Sequence, residues 1–204
     1  MNRSTVLKVL ERVLLAIGVA LGVWCAAIFV EARRTRNLPI EPVRVTMTLP
    51  GDANVPTARA PKPAAPPPGT VIGRIEAPTL NMTAPVLEGT DDRTLSRGAG
   101  HIEDTPFPGV AGNIGIAGHR DTIFRPLKRA KAGDPLVLTT ADRVYYYKIN
   151  RTLIVDPEDV YVLDSTPKPT LTLVTCYPFE FIGHAPRRFI VQAEMVGEDA
   201  KGIK

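Results

Sequence analysis

Leu171-Thr172-Leu173-Val174-Thr175-Cys176 reads as a strand, and Tyr177-Pro178 stops it. The stretch alternates β-branched and aliphatic residues, the composition that fits a pleated, half-buried surface. Other short runs of this kind surround it: Thr70–Ile75, Ala84–Leu87, Asn113–Gly118, Pro135–Thr139, Val144–Val155 and Phe189–Val196. Turn residues separate them. Helical periodicity is scarce. Asp91–Arg97 is expected to form one short helix capped by Thr90, and Phe124–Arg129 a turn or two. Many short strands with little helix predict an all-β sandwich or closed barrel.

The strand ends on Cys176, one of two cysteines in the chain, and the other, Cys25, lies in an apolar N-terminal stretch. The body beyond residue 70 therefore has one thiol and no internal disulfide. A lone thiol at a strand end fits a nucleophile better than a staple, against the alternative of a buried, packed cysteine. His119 follows the strand Asn113–Gly118 directly, as Cys176 ends its own. An imidazole is the usual proton carrier for a thiol nucleophile. Arg187-Arg188 opens the last strand, where a guanidinium suits a substrate carbonyl or a developing oxyanion. No CxxC, HExxH or paired His/Cys spacing is present, so neither a metal nor another cofactor is expected.

The N-terminal third is organised differently. Val13–Val30 is uncharged, and as a helix it rises about 27 Å, close to the roughly 30 Å hydrocarbon core of a bilayer. A signal peptide is the competing reading, but no small-residue cleavage site follows. Gly18 and Gly22 have the spacing of a helix-pairing motif. Residues 1–36 carry six basic and two acidic side chains, and residues 37–204 carry nineteen of each. The high isoelectric point thus reports the flanks of the apolar segment, and the body lacks the basic excess of a nucleic-acid binder. A local patch, Arg125, Lys128, Arg129 and Lys131, reads as a solvated face. Nine prolines between residues 37 and 69 exclude a helix or central strand and predict a semi-extended spacer. The expected layout is a cytoplasmic N-terminus (1–12), a membrane anchor in contact with lipid (13–30), a Pro-rich linker (31–69), an extracytoplasmic β domain (70–197) and a short tail (198–204).

The segments GNIGIAGHRDT (112–122), TLVTCYPF (172–179) and APRRFIV (185–191) resemble those of sortases, which are membrane-anchored cysteine transpeptidases. The order His, Cys, Arg matches, as does TLxTC around the cysteine. EGTDDRTLSRGAGHIEDTPFPG (88–109) and the CYPF run are most similar to class D members. The resemblance implies a closed eight-stranded β-barrel. It implies Cys176 as nucleophile, His119 as general acid and Arg188 as oxyanion contact, with Arg187 the adjacent alternative. It adds Thr175 as an aid to holding substrate, and His101 as a structural residue or site neighbour. His184 is expected to face solvent. The implied partners are secreted proteins with a C-terminal LPxTG-like sorting motif and an amine acceptor on the envelope or another protein. Two other thiol enzymes fit less well. An L,D-transpeptidase carries Gly-Cys-x-Arg, absent here, and a papain-like protease sets its cysteine on a helix before its histidine. A non-enzymatic tethered binding module is the alternative from a different class.

Overall fold

The computed structural model describes residues 3–36, 65–180 and 183–201, with side chains resolved over 11–27 in the first helix. The chain divides into two compact units, Met1–Leu38 and Pro39–Lys204. In the first, α1 (Arg3–Arg36) is a single helix of 34 residues. It carries on past residue 31, where the linker was expected to begin, because Glu31 to Arg36 contains no proline or glycine to stop it. Among the described residues no helix is long and apolar enough to cross a membrane. The expected span 13–30 extends three residues beyond the described side chains. The linker residues 37–64 lie outside the described residues.

In the second unit eight strands close into a barrel, in the order β1-β2-β3-β4-β7-β8-β6-β5. They are β1 (Val71–Ala77), β2 (Met82–Glu88), β3 (Ala99–His101), β4 (Asn113–Ala117), β5 (Pro135–Thr139), β6 (Arg143–Val155), β7 (Thr170–Tyr177) and β8 (Arg187–Ala200). The pairs β2–β3 and β4–β7 are parallel, and the rest are antiparallel. The strand β3 was not anticipated. It has three residues, two of them Ala and Gly, too short to show a period. The last strand runs three residues past the expected boundary at 197, because Arg143, Val144 and Tyr145 pair with Ala200, Asp199 and Glu198.

The short helix forms as α2 (Asp92–Arg97), but its cap is Asp91 and not Thr90. Asp91 Oδ1 accepts from the Arg93 and Thr94 amides, while the Thr90 hydroxyl is drawn away to Glu103 Oε2, 2.9 Å. Phe124 is fully buried and leads into a 3-10 turn over Arg125–Arg129. Alternation along the strands packs Ile75, Ile114, Ile116, Leu138, Leu171 and Leu173 inside the barrel. A second cluster, Val155, Val162 and Ile190 with Leu153 and Val174, lies on the outer face of β6, β7 and β8, beneath the 3-10 turn Val160–Leu163.

Candidate active site

The register of β7 against β8 fixes the pair that matters: Cys176 lies opposite Arg188, and Tyr177 opposite Arg187. Side chains directly opposite in an antiparallel pair stand about 4.5–5.5 Å apart at Cβ and on the same face. Leu171, Leu173 and Thr175 point into the barrel, so Cys176 and Arg188 belong to its outer face. Cys176 is a free, half-buried thiol. Arg188 folds back on its own loop, Nη1 donating to the carbonyls of Ala185 (3.3 Å) and Arg187 (3.1 Å). Arg187 is exposed and lies 3.9 Å from Asp156. Of the two arginines, only Arg188 shares the face and the register of Cys176.

The strand β4 lies beside β7 in parallel, with Ala117 level with Val174. Gly118 closes that ladder, its N–H donating to Val174 O at 3.1 Å. His119 lies two residues past Ala117 and Cys176 two residues past Val174, so both stand at the same end of the barrel. Its imidazole is exposed and takes no hydrogen bond among the described residues, while its carbonyl accepts from the Phe124 amide at 3.0 Å. A side chain at Gly118 is excluded: a Cβ there would lie 2.7 Å from the Phe124 ring. The chain thus presents His119 by burying Phe124 under a glycine.

Thr175 faces away from the thiol. It is buried, and its hydroxyl donates to Gly118 O at 2.7 Å. Its link to the site runs through the backbone that carries His119. His101 is not brought to the site. It is buried and stacked on Phe107 at 4.6 Å, with both ring nitrogens engaged. Nε2 faces Pro106 O (3.1 Å) and Thr105 Oγ1 (3.1 Å). A carbonyl only accepts, and the Thr105 proton already goes to Ile102 O, so Nε2 must donate. Nδ1 then shares one proton with Glu88 Oε2 at 2.8 Å. This closed network ties β2, β3 and the following loop, the structural role among those expected of His101. His184 is exposed in the β7–β8 loop.

Two contacts that the sequence did not suggest join the His119 loop to the β7–β8 loop. Arg120 Nη2 donates to Gly183 O at 2.8 Å, and Lys128 Nζ pairs with Glu180 at 2.8 Å. The hydrogen bond and charge of Lys128 hold the Glu180 carboxyl below its ordinary range. Of the basic patch 125–131, Lys128 is therefore a loop tether, and Arg129 donates to Leu80 O at 3.2 Å. Tyr177, Phe179 and Phe189 form an aromatic wall below, with Phe179 and Phe189 centroids 5.3 Å apart. Among the described residues no group of three or more His, Cys, Asp or Glu is placed to hold a metal ion.

The barrel that carries these strand ends is similar to known proteins. Residues 75–196 match the model of the sortase domain. Sortase D of Bacillus subtilis is 39% identical over 129 residues, covering 63% of this chain and 65% of that protein. Sortase A of Streptococcus agalactiae is 37% identical, covering 61% of this chain and 53% of its own. The match thus spans less than two thirds of either relative's length. Among solved structures, the Clostridium perfringens sortase D5 transpeptidase is 31% identical with a TM-score of 0.58, over 64% of this chain and 81% of that one. Sortase E1 of Streptomyces coelicolor, solved with a tripeptide in its active site, is 31% identical with a TM-score of 0.59, over 65% and 91%. A domain match over more than half the chain, on a closed barrel of the same kind, makes this chain a member of the sortase family.

Proposed function

We propose that the chain is a membrane-anchored cysteine transpeptidase that joins secreted proteins to an amine through a thioester on Cys176. The observation that carries this reading is the cross-strand pair Cys176–Arg188 with His119 at the neighbouring strand end. The Cys176 thiolate attacks a backbone carbonyl carbon in a sorting motif of LPxTG type. Arg188 swings from its loop carbonyls to the oxygen that becomes negative. His119, as imidazolium, gives its proton to the departing amine as the C–N bond breaks, leaving a thioester and neutral imidazole. An incoming amine, on the cell envelope or another protein, attacks the thioester. Imidazole takes its proton, an amide forms, and the thiolate is released. Because one group must be deprotonated and the other protonated, the rate of the chemical step is bell-shaped in pH.

The apolar run 13–30 supports an anchor, and the reading of the barrel as an exported transpeptidase supports an N-terminus in the cytoplasm with the barrel outside. The prolines of the linker support a spacer between bilayer and barrel.

The test is mass spectrometry of the full chain in detergent, incubated with a library of LPxTG-type peptides and free amines. The expected result is a peptide acyl adduct on Cys176, and a cleaved peptide joined to the amine. Cys176→Ala removes both while the barrel keeps its circular dichroism. Turnover that survives in Cys176→Ala would exclude the thioester route.

A further inference from the structure

The outer face that holds Cys176 and Arg188 continues down β7 and β8 to a second concavity. The cluster of Val174 and Ile190 beneath Val160–Leu163 separates the two. Gln192 is four residues along β8 from Arg188, about 13 Å at roughly 3.3 Å per residue. The cleft has a volume of about 540 Å³, with β6, β7 and β8 as its floor and the segment 161–168 as its wall. That size suits a short peptide or a ligand of similar bulk.

One chain of buried polar groups is aimed at this cleft. Thr172 Oγ1 donates to Asn113 Oδ1 at 2.7 Å. Gln192 Nε2 donates to Val162 O at 2.9 Å and, more loosely, to Thr172 Oγ1 at 3.4 Å. That fixes the amide, so Gln192 Oε1 points outward and accepts from Arg151 Nε at 2.7 Å. Gln192, Thr172 and Asn113 are all buried. Arg151 itself reaches the outer face through an irregularity in β6: the register against β8 shifts between Ile149 and Arg151, and Asn150 and Arg151 are both exposed. Bulges re-aim side chains in this way beside functional sites.

The Nε bond orients the guanidinium but leaves its Nη groups with no partner among the described residues. Two parallel N–H donors held in a fixed plane form a fork for an oxyanion. Three further charges line the cleft: Lys168, which pairs with Glu194 at 3.2 Å, Glu194 itself, and Asp164. The four formal charges cancel. A phosphate dianion would meet two carboxylates there, whereas a zwitterion places its negative end on Arg151 and its positive end near Asp164.

We propose that this cleft binds the free carboxylate end of a short zwitterionic peptide, with Arg151, oriented by Gln192, as the carboxylate fork and Asp164 as the contact for the ammonium group. Binding needs neither Cys176 nor turnover, so it stands or falls apart from transpeptidation.

The experiment is calorimetric titration of the full chain in detergent with tetra-alanine in three forms: both ends free, C-terminal carboxamide, and N-acetylated. Inorganic phosphate is titrated alongside. The free peptide is expected to bind saturably, the carboxamide at least tenfold more weakly, and the acetylated form several-fold more weakly. Arg151→Gln and Arg151→Lys both remove the preference for carboxylate over carboxamide, while each variant still unfolds in a single cooperative thermal transition. Lysine fails because it keeps the charge and loses the fork. Equal affinity for acid and carboxamide overturns the proposal, as does an undiminished preference in Arg151→Gln, the absence of saturable binding at millimolar peptide, or phosphate binding tighter than the free peptide.

Discussion

Replacing Thr175 separates two kinds of damage that ordinarily travel together. The Thr175 hydroxyl gives its only proton to Gly118 O at 2.7 Å, in a buried position. Valine keeps the shape and removes the donor, so the Gly118 carbonyl loses its partner away from water. An unsatisfied buried acceptor costs about 1–3 kcal/mol. With a urea slope of about 1–3 kcal/mol per M, the unfolding midpoint falls by roughly 1 M. Serine keeps the donor and removes one buried methyl, at about 0.8 kcal/mol. The two variants therefore overlap in stability, and stability alone does not identify the mechanism. Activity does. Gly118 leads directly into His119, and its N–H and carbonyl are its two ties to β7. Thr175→Val releases one of them and lowers kcat, while Thr175→Ser stays within about twofold of the parent. The assay is steady-state transpeptidation beside urea unfolding, with maleimide labelling of Cys176 to show that the thiol is unaffected. A Thr175→Val protein with parental kcat would refute the idea that this hydroxyl positions the His119 strand end.

Three other perturbations follow from the hydrogen bonds around the barrel. Glu88→Ala leaves His101 Nδ1 buried without a partner and destabilises the barrel by about 1–3 kcal/mol, whereas Glu88→Gln can still donate to Nδ1 and recovers most of that in thermal unfolding. Arg120→Ala unties the His119 loop from Gly183 and is expected to raise KM for the sorting peptide more than it lowers kcat; an unchanged KM would remove Arg120 from any positioning role. The Asp91 carboxyl is held below its ordinary range, first by the Thr94 hydroxyl and then by the Thr94 amide. A depressed carboxylate stabilises α2 above its unfolded-state pKa, and that contribution is lost as the pH falls through the lower folded-state value. The Thr94 amide resonance should titrate in that acid range, and in Asp91→Asn it should not.

How much of this was legible depends on whether a feature is local. The strands around Cys176 and His119 could be read because each carries its own apolar run and its own stop. The strand Ala99–His101 could not: with three residues it exists only because Glu88 and Ile116 lie on either side of it. Thr90 and Asp91 are both good caps, and the choice between them is made by Glu103, thirteen residues downstream of Thr90. The resemblance offered His101 as a structural residue or a site neighbour, and a Gly-His pair alone does not choose between the two. Its partner Glu88 sits on another strand, so the sequence offers no sign that both ring nitrogens are engaged. Lys128 was read as solvated charge for the same reason, since Glu180 lies 52 residues away, and nothing local marked Arg120 as a tether to Gly183, 63 residues away.

The choice between Arg187 and Arg188 shows where a motif stops and topology takes over. Adjacent strand residues point to opposite faces, so a one-residue error moves the guanidinium from the thiol's side of the sheet to the other. The β7–β8 register decides it, and that register is set far from the site. Leu171 and Leu173 must enter the barrel against Ala193 and Val191, which leaves Val174 and Ile190 to the outer cluster. Sliding β8 by one residue would drive Ile190 inward and Val191 out under the turn Val160–Leu163. Burial of the core thus holds Arg188 across from Cys176, and the parallel pairing of β4 with β7 sets His119 at the same barrel end. Core substitutions near Leu173 or Val191, though remote from the thiol, are then expected to alter Arg188 before they alter Cys176.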